Sequence, residues 1–173
     1  MIRKTKRKVC YCQRNVSKLI ILKSFIIDAK TSIANQLELI NSSFEKYSNK
    51  TLPLVDAGNL VESFNKCPFP IASHDLNGFF NYLNRAALSL FKVNLDQVIG
   101  QPTTMTAPES EQKERNELLN QVNSHGFIEN YKGIRVASDG ALFQIEDATI
   151  WNIVDKESIK IGQAVIIYRS RIL

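Results

Sequence analysis

Side chains suited to metal, redox or nucleophilic chemistry are few and scattered in this 173-residue chain: His74, His125, Cys10, Cys12 and Cys67. Cys10 and Cys12 sit in a strongly basic segment and Cys67 stands alone before Pro68, with no second Cys or His pair at zinc spacing. There is no Gly-x-Ser-x-Gly elbow, no glycine-rich phosphate loop and no His-Glu-x-x-His. Glu146 and Asp147 are adjacent, and neighbours on a strand point to opposite faces, so they do not form a carboxylate pair. No catalytic set and no metal site emerges, and the chain reads as non-enzymatic. What remains is a polar and aromatic group: Asn81, Tyr131, Arg135, Thr149 and Trp151. A small-ligand site needs an apolar cavity with a few convergent polar groups, and Arg135 would offer a planar fork to a carboxylate or phosphate. A second reading stays open, in which Tyr131 and Trp151 fill the core and Arg135 reaches solvent.

The elements that must position these residues belong to an ordinary globular chain, 44% apolar and 23% charged with seven Gly and five Pro. No apolar run approaches the ~20 residues of a membrane span; the longest, Leu19 to Ile27, is broken by Lys23 and Ser24. That interruption also argues against a signal peptide. With an odd cysteine count, the chain is expected in a reducing, cytoplasmic setting. Its formal charge of +5 is unevenly placed. Residues 1–30 carry nine Lys or Arg against Asp28 alone, whereas residues 31–173 carry thirteen basic and sixteen acidic side chains. Residues 1–30 read as a basic, partly disordered tail, either simply solvated or a contact for nucleic acid or anionic lipid.

From Leu22 to Tyr47 apolar residues recur at helical spacing: Leu22, Ile26, Ala29, Ile33, Leu37, Ile40, Phe44 and Tyr47. This predicts an amphipathic helix, clearest over Thr31 to Tyr47, followed by a connection to Gly58. Its stripe either covers the adjacent domain or, through Ile33, Leu37, Ile40 and Phe44, joins two copies of the chain. Beyond it, residues 59–173 read as one domain. A short helix over 59–65 precedes strands at 69–73 and 79–82 around an Asp-Leu-Asn-Gly turn. Helices follow over 84–91 and 109–124, the second ended by Gly126. Strands over 127–137, 142–154 and 159–168 close the chain as a meander. The fold class is α+β: a five-stranded antiparallel sheet with helices on one face, preceded by the N-terminal amphipathic helix. Alternation lets 131 and 135 share one face of their strand, as 143, 145, 149 and 151 share one face of theirs. Arg135 and Trp151 then share a pocket only if both faces lie beneath the helices. Glu129 with Lys132 and Arg135 with Glu146 read as local or cross-strand pairs.

The segment Asn-Tyr-Leu-Asn-Arg-Ala-Ala-Leu-Ser-Leu-Phe, 81–91, is similar to the YxNxAAxxLF signature at the second strand and first helix of PAS domains. A finer resemblance is to the MEKHLA domain, a PAS-like family. It is carried by Ser73-His74, Phe80 to Phe91, Gly126-Phe127-Ile128, Tyr131 to Arg135, Gly140, Phe143, Ile145-Glu146, Ala148 to Asn152 and Gly162-Gln163-Ala164. It covers about residues 33–173; the hexapeptide that names the family is absent. The resemblance implies a PAS-like fold and a sensory or dimerisation-controlling module, with no established ligand. PAS pockets can hold flavin or haem. No Cys lies between Asn81 and Leu173, which excludes a flavin–cysteinyl adduct, and haem would need an axial ligand such as His. His125 is placed to face a helix end and His74 to orient the Asp75 turn, so no cofactor is assigned. Three functions stay open: a signal-responsive module binding a small ligand or controlling dimerisation, a protein-interaction domain with a filled core, and a nucleic-acid-associated regulator working through the basic tail.

Overall fold

In a computed structural model, residues 32–173 are described. The basic tail, with its expected disorder and nucleic-acid contact, therefore lies outside the described residues. Residues 37–173 form one compact unit, and residues 32–36 belong to a separate N-terminal unit.

The elements in chain order are helix α1 (residues 32–48), helix α2 (Leu60–Lys66), strands β1 (Ile71–Asp75) and β2 (Phe80–Leu83), helices α3 (Arg85–Phe91) and α4 (Leu95–Val98), 3-10 turns at Thr103–Thr106 and Glu109–Glu111, helix α5 (Gln112–His125), and strands β3 (Phe127–Ile128), β4 (Gly133–Val136), β5 (Leu142–Val154) and β6 (Lys160–Ile172). The sheet is antiparallel, in the order β2-β1-β6-β5-β3, with β4 also on β5. Six segments thus fill five strand positions. The strand expected over 127–137 is split because the chain leaves the ladder after Ile128, turns through Asn130 at φ 56, and rejoins at Gly133. The Tyr131 amide still reaches Ala148 O, at 2.9 Å.

Local chemistry fixes the connections. The Asp75 carboxylate accepts from the Asn77 and Phe79 amides, both at 2.9 Å, and Gly78 takes the positive φ of the β1–β2 turn. His74 Nδ1 lies 2.7 Å from Asp75 O, beside that turn. The α5 helix ends at Gly126, φ 89, where a Cβ would overlap the Tyr47 ring.

The course of β5 departs from the expected geometry. Between Ile145 and Ala148 the β5–β6 register shifts twice: Ile145 faces Ser170, Asp147 faces Arg169 and Ala148 faces Ile167. One extra residue on β5 is offset by one on β6, so pairing recovers while the in–out alternation along β5 is displaced by one. Phe143 and Ile145 therefore share a core with Ala148 and Ile150, beside Ala72, Phe91 and Val122. Thr149 and Trp151 turn to the opposite face.

That opposite face is covered by α1, the outcome in which the amphipathic stripe covers the adjacent domain. Leu37 and Ile40 are 0% exposed and Phe44 is 1% exposed. Phe44 meets Trp151 edge-on at 4.9 Å, Trp151 Nε1 donates to Ile40 O at 3.1 Å, and the Ser43 hydroxyl accepts from the Val154 amide at 3.0 Å. The stripe read as a seam between two copies is thus used within one copy, because the Trp151 face of β5 needs a cover. Ile33 is half-buried. Two pairings also differ: Glu146 pairs with Arg169 and Arg171, at 3.1 and 2.9 Å, and Glu129 with Lys50 at 2.6 Å. Arg135 and Lys132 are not their partners.

Candidate ligand cavity

On the face of the sheet under α5, an apolar cavity of about 70 Å³ opens between β1, β6 and β5 on one side and α5 with the Thr103–Thr106 turn on the other. Phe80, Phe91, Leu118, Leu119, Ile145, Ile150 and Ile167 form most of its wall. Its polar lining is Ser73, His74, Thr103, Thr106, Arg115, Tyr131, Arg135 and Gln163. At roughly 10–15 Å³ per water, the space holds on the order of five waters.

Arg135 and Tyr131 come from the edge where β3 and β4 are split. The Arg135 guanidinium donates from Nη2 to the Tyr131 hydroxyl and from Nη1 to Ile134 O, the latter at 2.7 Å. Its carbon stands 5.4 Å from the centre of the Tyr131 ring, a cation–π contact. Gly133 makes this possible, since a Cβ there would overlap the Tyr131 phenol. Arg135 is 6% exposed, so it does not reach solvent.

The residue that sequence reasoning missed is Arg115, on α5 and 9% exposed. Its Nη2 donates to Thr103 Oγ1 at 2.5 Å and its Nη1 to Asn116 Oδ1 at 3.4 Å. The signal was legible: Arg115, Leu118, Leu119 and Val122 share one helical face, so a cation interrupts the apolar stripe. Burial, and then repulsion by Arg135, pulls the Arg115 guanidinium down to about 10. Burial raises the Tyr131 phenol, against the pull of Arg135 and Arg115. Burial lowers the His74 imidazole, which the Asp75 backbone bond opposes and the charge of Arg115 reinforces.

Of the five residues expected to line a pocket, the structure brings Tyr131 and Arg135 together there. Thr149 and Trp151 lie on the other face because of the β5 bulge, Thr149 bonded to the Tyr168 phenol. Asn81 is the extra residue of a β1–β2 register shift and accepts the Ser73 hydroxyl at 2.6 Å, and it is not one of the residues that line the cavity. His125 closes the last turn of α5, its Nδ1 2.9 Å from Gln121 O, and Cys67 is a packed thiol. Among the described residues no cluster of His, Cys, Asp and Glu could hold a metal ion, and no helix is long and apolar enough to cross a membrane.

The MEKHLA domain model matches residues 34–171, nearly all of the described chain. The chain belongs to the MEKHLA domain family. No curated protein matches it. Solved structures similar to this MEKHLA domain include PAS domains. One from Colwellia psychrerythraea has TM-score 0.57 and 21% identity, over 65% of this chain and 92% of that one. One from an HTR-like protein of Haloarcula marismortui has TM-score 0.53 and 14% identity, over 66% and 88%. A third, from a LuxR-family transcriptional regulator of Burkholderia thailandensis, was solved with ethanol; it has TM-score 0.50 and 16% identity, over 69% and 98%. At such identities these likenesses establish the fold: this MEKHLA domain has the PAS-domain architecture.

Proposed function

We propose that this MEKHLA domain is a cytoplasmic, non-enzymatic regulatory module that responds to a small molecule bound between α5 and the sheet. The observation that carries the reading is the cavity itself. It lies in the core of a PAS-like body, walled by aliphatic and aromatic side chains, with polar groups converging from the Thr103–Thr106 turn, α5 and β4. The Burkholderia PAS domain solved with ethanol lends support as a relative of the same fold that holds a small molecule. The reading of the domain as a filled-core interaction module is weaker, since this core is not filled and the stripe assigned to association is buried.

Native mass spectrometry of the full chain purified from its own host tests the proposal. A small molecule that co-purifies and leaves on mild activation is expected, and the same spectrum reports whether its loss changes the oligomeric state. Replacing Ile150, on the cavity wall, with Trp should then abolish the mass increment while the fold persists. An apo spectrum together with failure of any small molecule to bind would overturn the proposal. A nucleic-acid role through residues 1–30 has its own observation, nine basic side chains against one acidic. It predicts steeply salt-dependent DNA binding that disappears when those residues are deleted.

A further inference from the structure

Two guanidiniums reach one cavity in this domain, and neither has a carboxylate in ion-pair contact, Glu114 acting only through space on Tyr131. Among the described residues the ion pairs are Lys50–Glu129, Lys92–Asp139 and Glu146 with Arg169 and Arg171. All lie at partly or well exposed side chains, whereas the buried Arg115 and Arg135 are held by neutral acceptors only: Thr103, Asn116, Tyr131 and the Ile134 carbonyl. Burying like charges near one another without a paired carboxylate costs stability, and a small anion held in the cavity would supply the missing counter-charge. The two sites are built independently. Arg135 is fixed from the β4 edge through Tyr131 and the bare backbone of Gly133, and Arg115 from α5 through Thr103.

We infer that the cavity takes a small carboxylate, its charged head shared by Arg115 and Arg135 and its short apolar stem against the aliphatic wall. This rests on reading the cavity as a ligand site, and it names the ligand's chemistry. The lining decides between anions. Phosphate or sulfate would turn oxygens toward Phe80, Leu118 and Ile150, whereas a carboxylate presents two oxygens at one end and carbon at the other. The volume suits an acid of about three to five carbons, given room for on the order of five waters. The mutual repulsion that lowers Arg115 is relieved when an anion lies between the two cations.

The test titrates the full chain with sodium butyrate, 1-butanol and inorganic phosphate at constant ionic strength, read by calorimetry and by the arginine side-chain NMR signals. Saturable butyrate binding that shifts both guanidinium signals is expected, weakened about tenfold or more in Arg115→Met and in Arg135→Met. The Met variants should melt no lower than the wild type, because a buried, uncompensated charge has been removed; a purely structural pair of arginines would instead cost stability. If a Met variant fails to fold, the wild-type guanidinium shifts alone decide. Butyrate that binds without moving them, or phosphate that binds where butyrate does not, overturns the inference. Butanol binding without butyrate also overturns it, yet leaves the cavity's role as a ligand site standing. Failure of all three overturns the inference too, and with an apo native spectrum it removes the proposed function as well.

Discussion

Fully buried Asn84 accepts from the Ile71 and Ala87 amides, at 3.0 and 2.9 Å, and donates to the Phe64 and Phe69 carbonyls at 3.2 and 2.9 Å. Every donor and acceptor position of one side chain is used, tying α2, β1 and the start of α3 together. Replacing it with Ala strands buried partners as well as removing a helix cap. Asn84→Ala should therefore lower stability by about 3 kcal/mol or more, measured by urea unfolding. Trp151→Ala should cost about 3–5 kcal/mol, because a wholly buried ring and its contact with Phe44 are lost. It should leave cavity binding intact, since Trp151 lies across the sheet from the cavity. His74 gives the domain a pH response of known sign. Its folded form disfavours the proton, so the unfolded chain binds more protons just below the ordinary histidine value of 6.5, and stability falls as the pH drops through it. The groups facing it are Arg115, Lys160 and the Asp75 carbonyl and carboxylate. The melting temperature should decline from about pH 7.5 to about pH 5, and His74→Gln should flatten that slope; an unchanged slope would remove His74 as its source.

At the scale of elements, α1 is the clearest case of one signal with two physical outlets. An apolar stripe at helical spacing specifies that a face must be buried, and leaves the cover unspecified. Here the cover is the Trp151 face of the sheet, with Leu37, Ile40 and Phe44 sealed against it. Replacing Leu37 and Ile40 together with Glu should thus unfold the domain rather than produce a soluble monomer, because two carboxylates would enter a site with no partner. Circular dichroism and size exclusion of the double variant separate the two outcomes; a folded, cooperatively melting protein would restore the association reading. The split between β3 and β4 has a similar logic. Asn130 at positive φ and the glycine at 133 let the edge leave the ladder for four residues, which brings Tyr131 over Arg135. Gly133→Ala should disturb that pair and weaken any ligand held through Arg135 while costing little of the fold.

For the whole molecule, the sequence settled what depends on local chemistry and period. Asn84, Gly126 and the Asp75-Leu76-Asn77-Gly78 turn mark element ends through their own hydrogen bonds and backbone freedom, so the strand–helix–strand order and the α+β class were readable from the chain. The YxNxAAxxLF segment carried the PAS-like likeness, because a signature ties several residues to one local geometry, and the longer set of segments from Ser73 to Ala164 carried the family. Two of the five expected pocket residues were legible: Tyr131 and Arg135, four apart on one edge. The basic segment before Lys18 has no apolar period, and deleting residues 1–17 should leave the melting temperature of the chain nearly unchanged; a drop of many degrees would make it part of the fold. Tertiary structure alone decided the rest. A paired bulge at Ile145–Ala148 moves the side chains that follow it on β5, through Ile153, to the other face, and nothing local announces it because the extra residue is defined only against its partner on β6. That shift sent Thr149 and Trp151 away from Arg135 and put α1 on their side of the sheet. Arg115 stood in plain view as a cation on an apolar stripe, but which cavity it enters, and that Arg135 meets it there, depends on how α5 packs across strands more than fifteen residues away in the chain. Period and caps act within a few residues, whereas faces and cavities exist only once distant segments share a sheet.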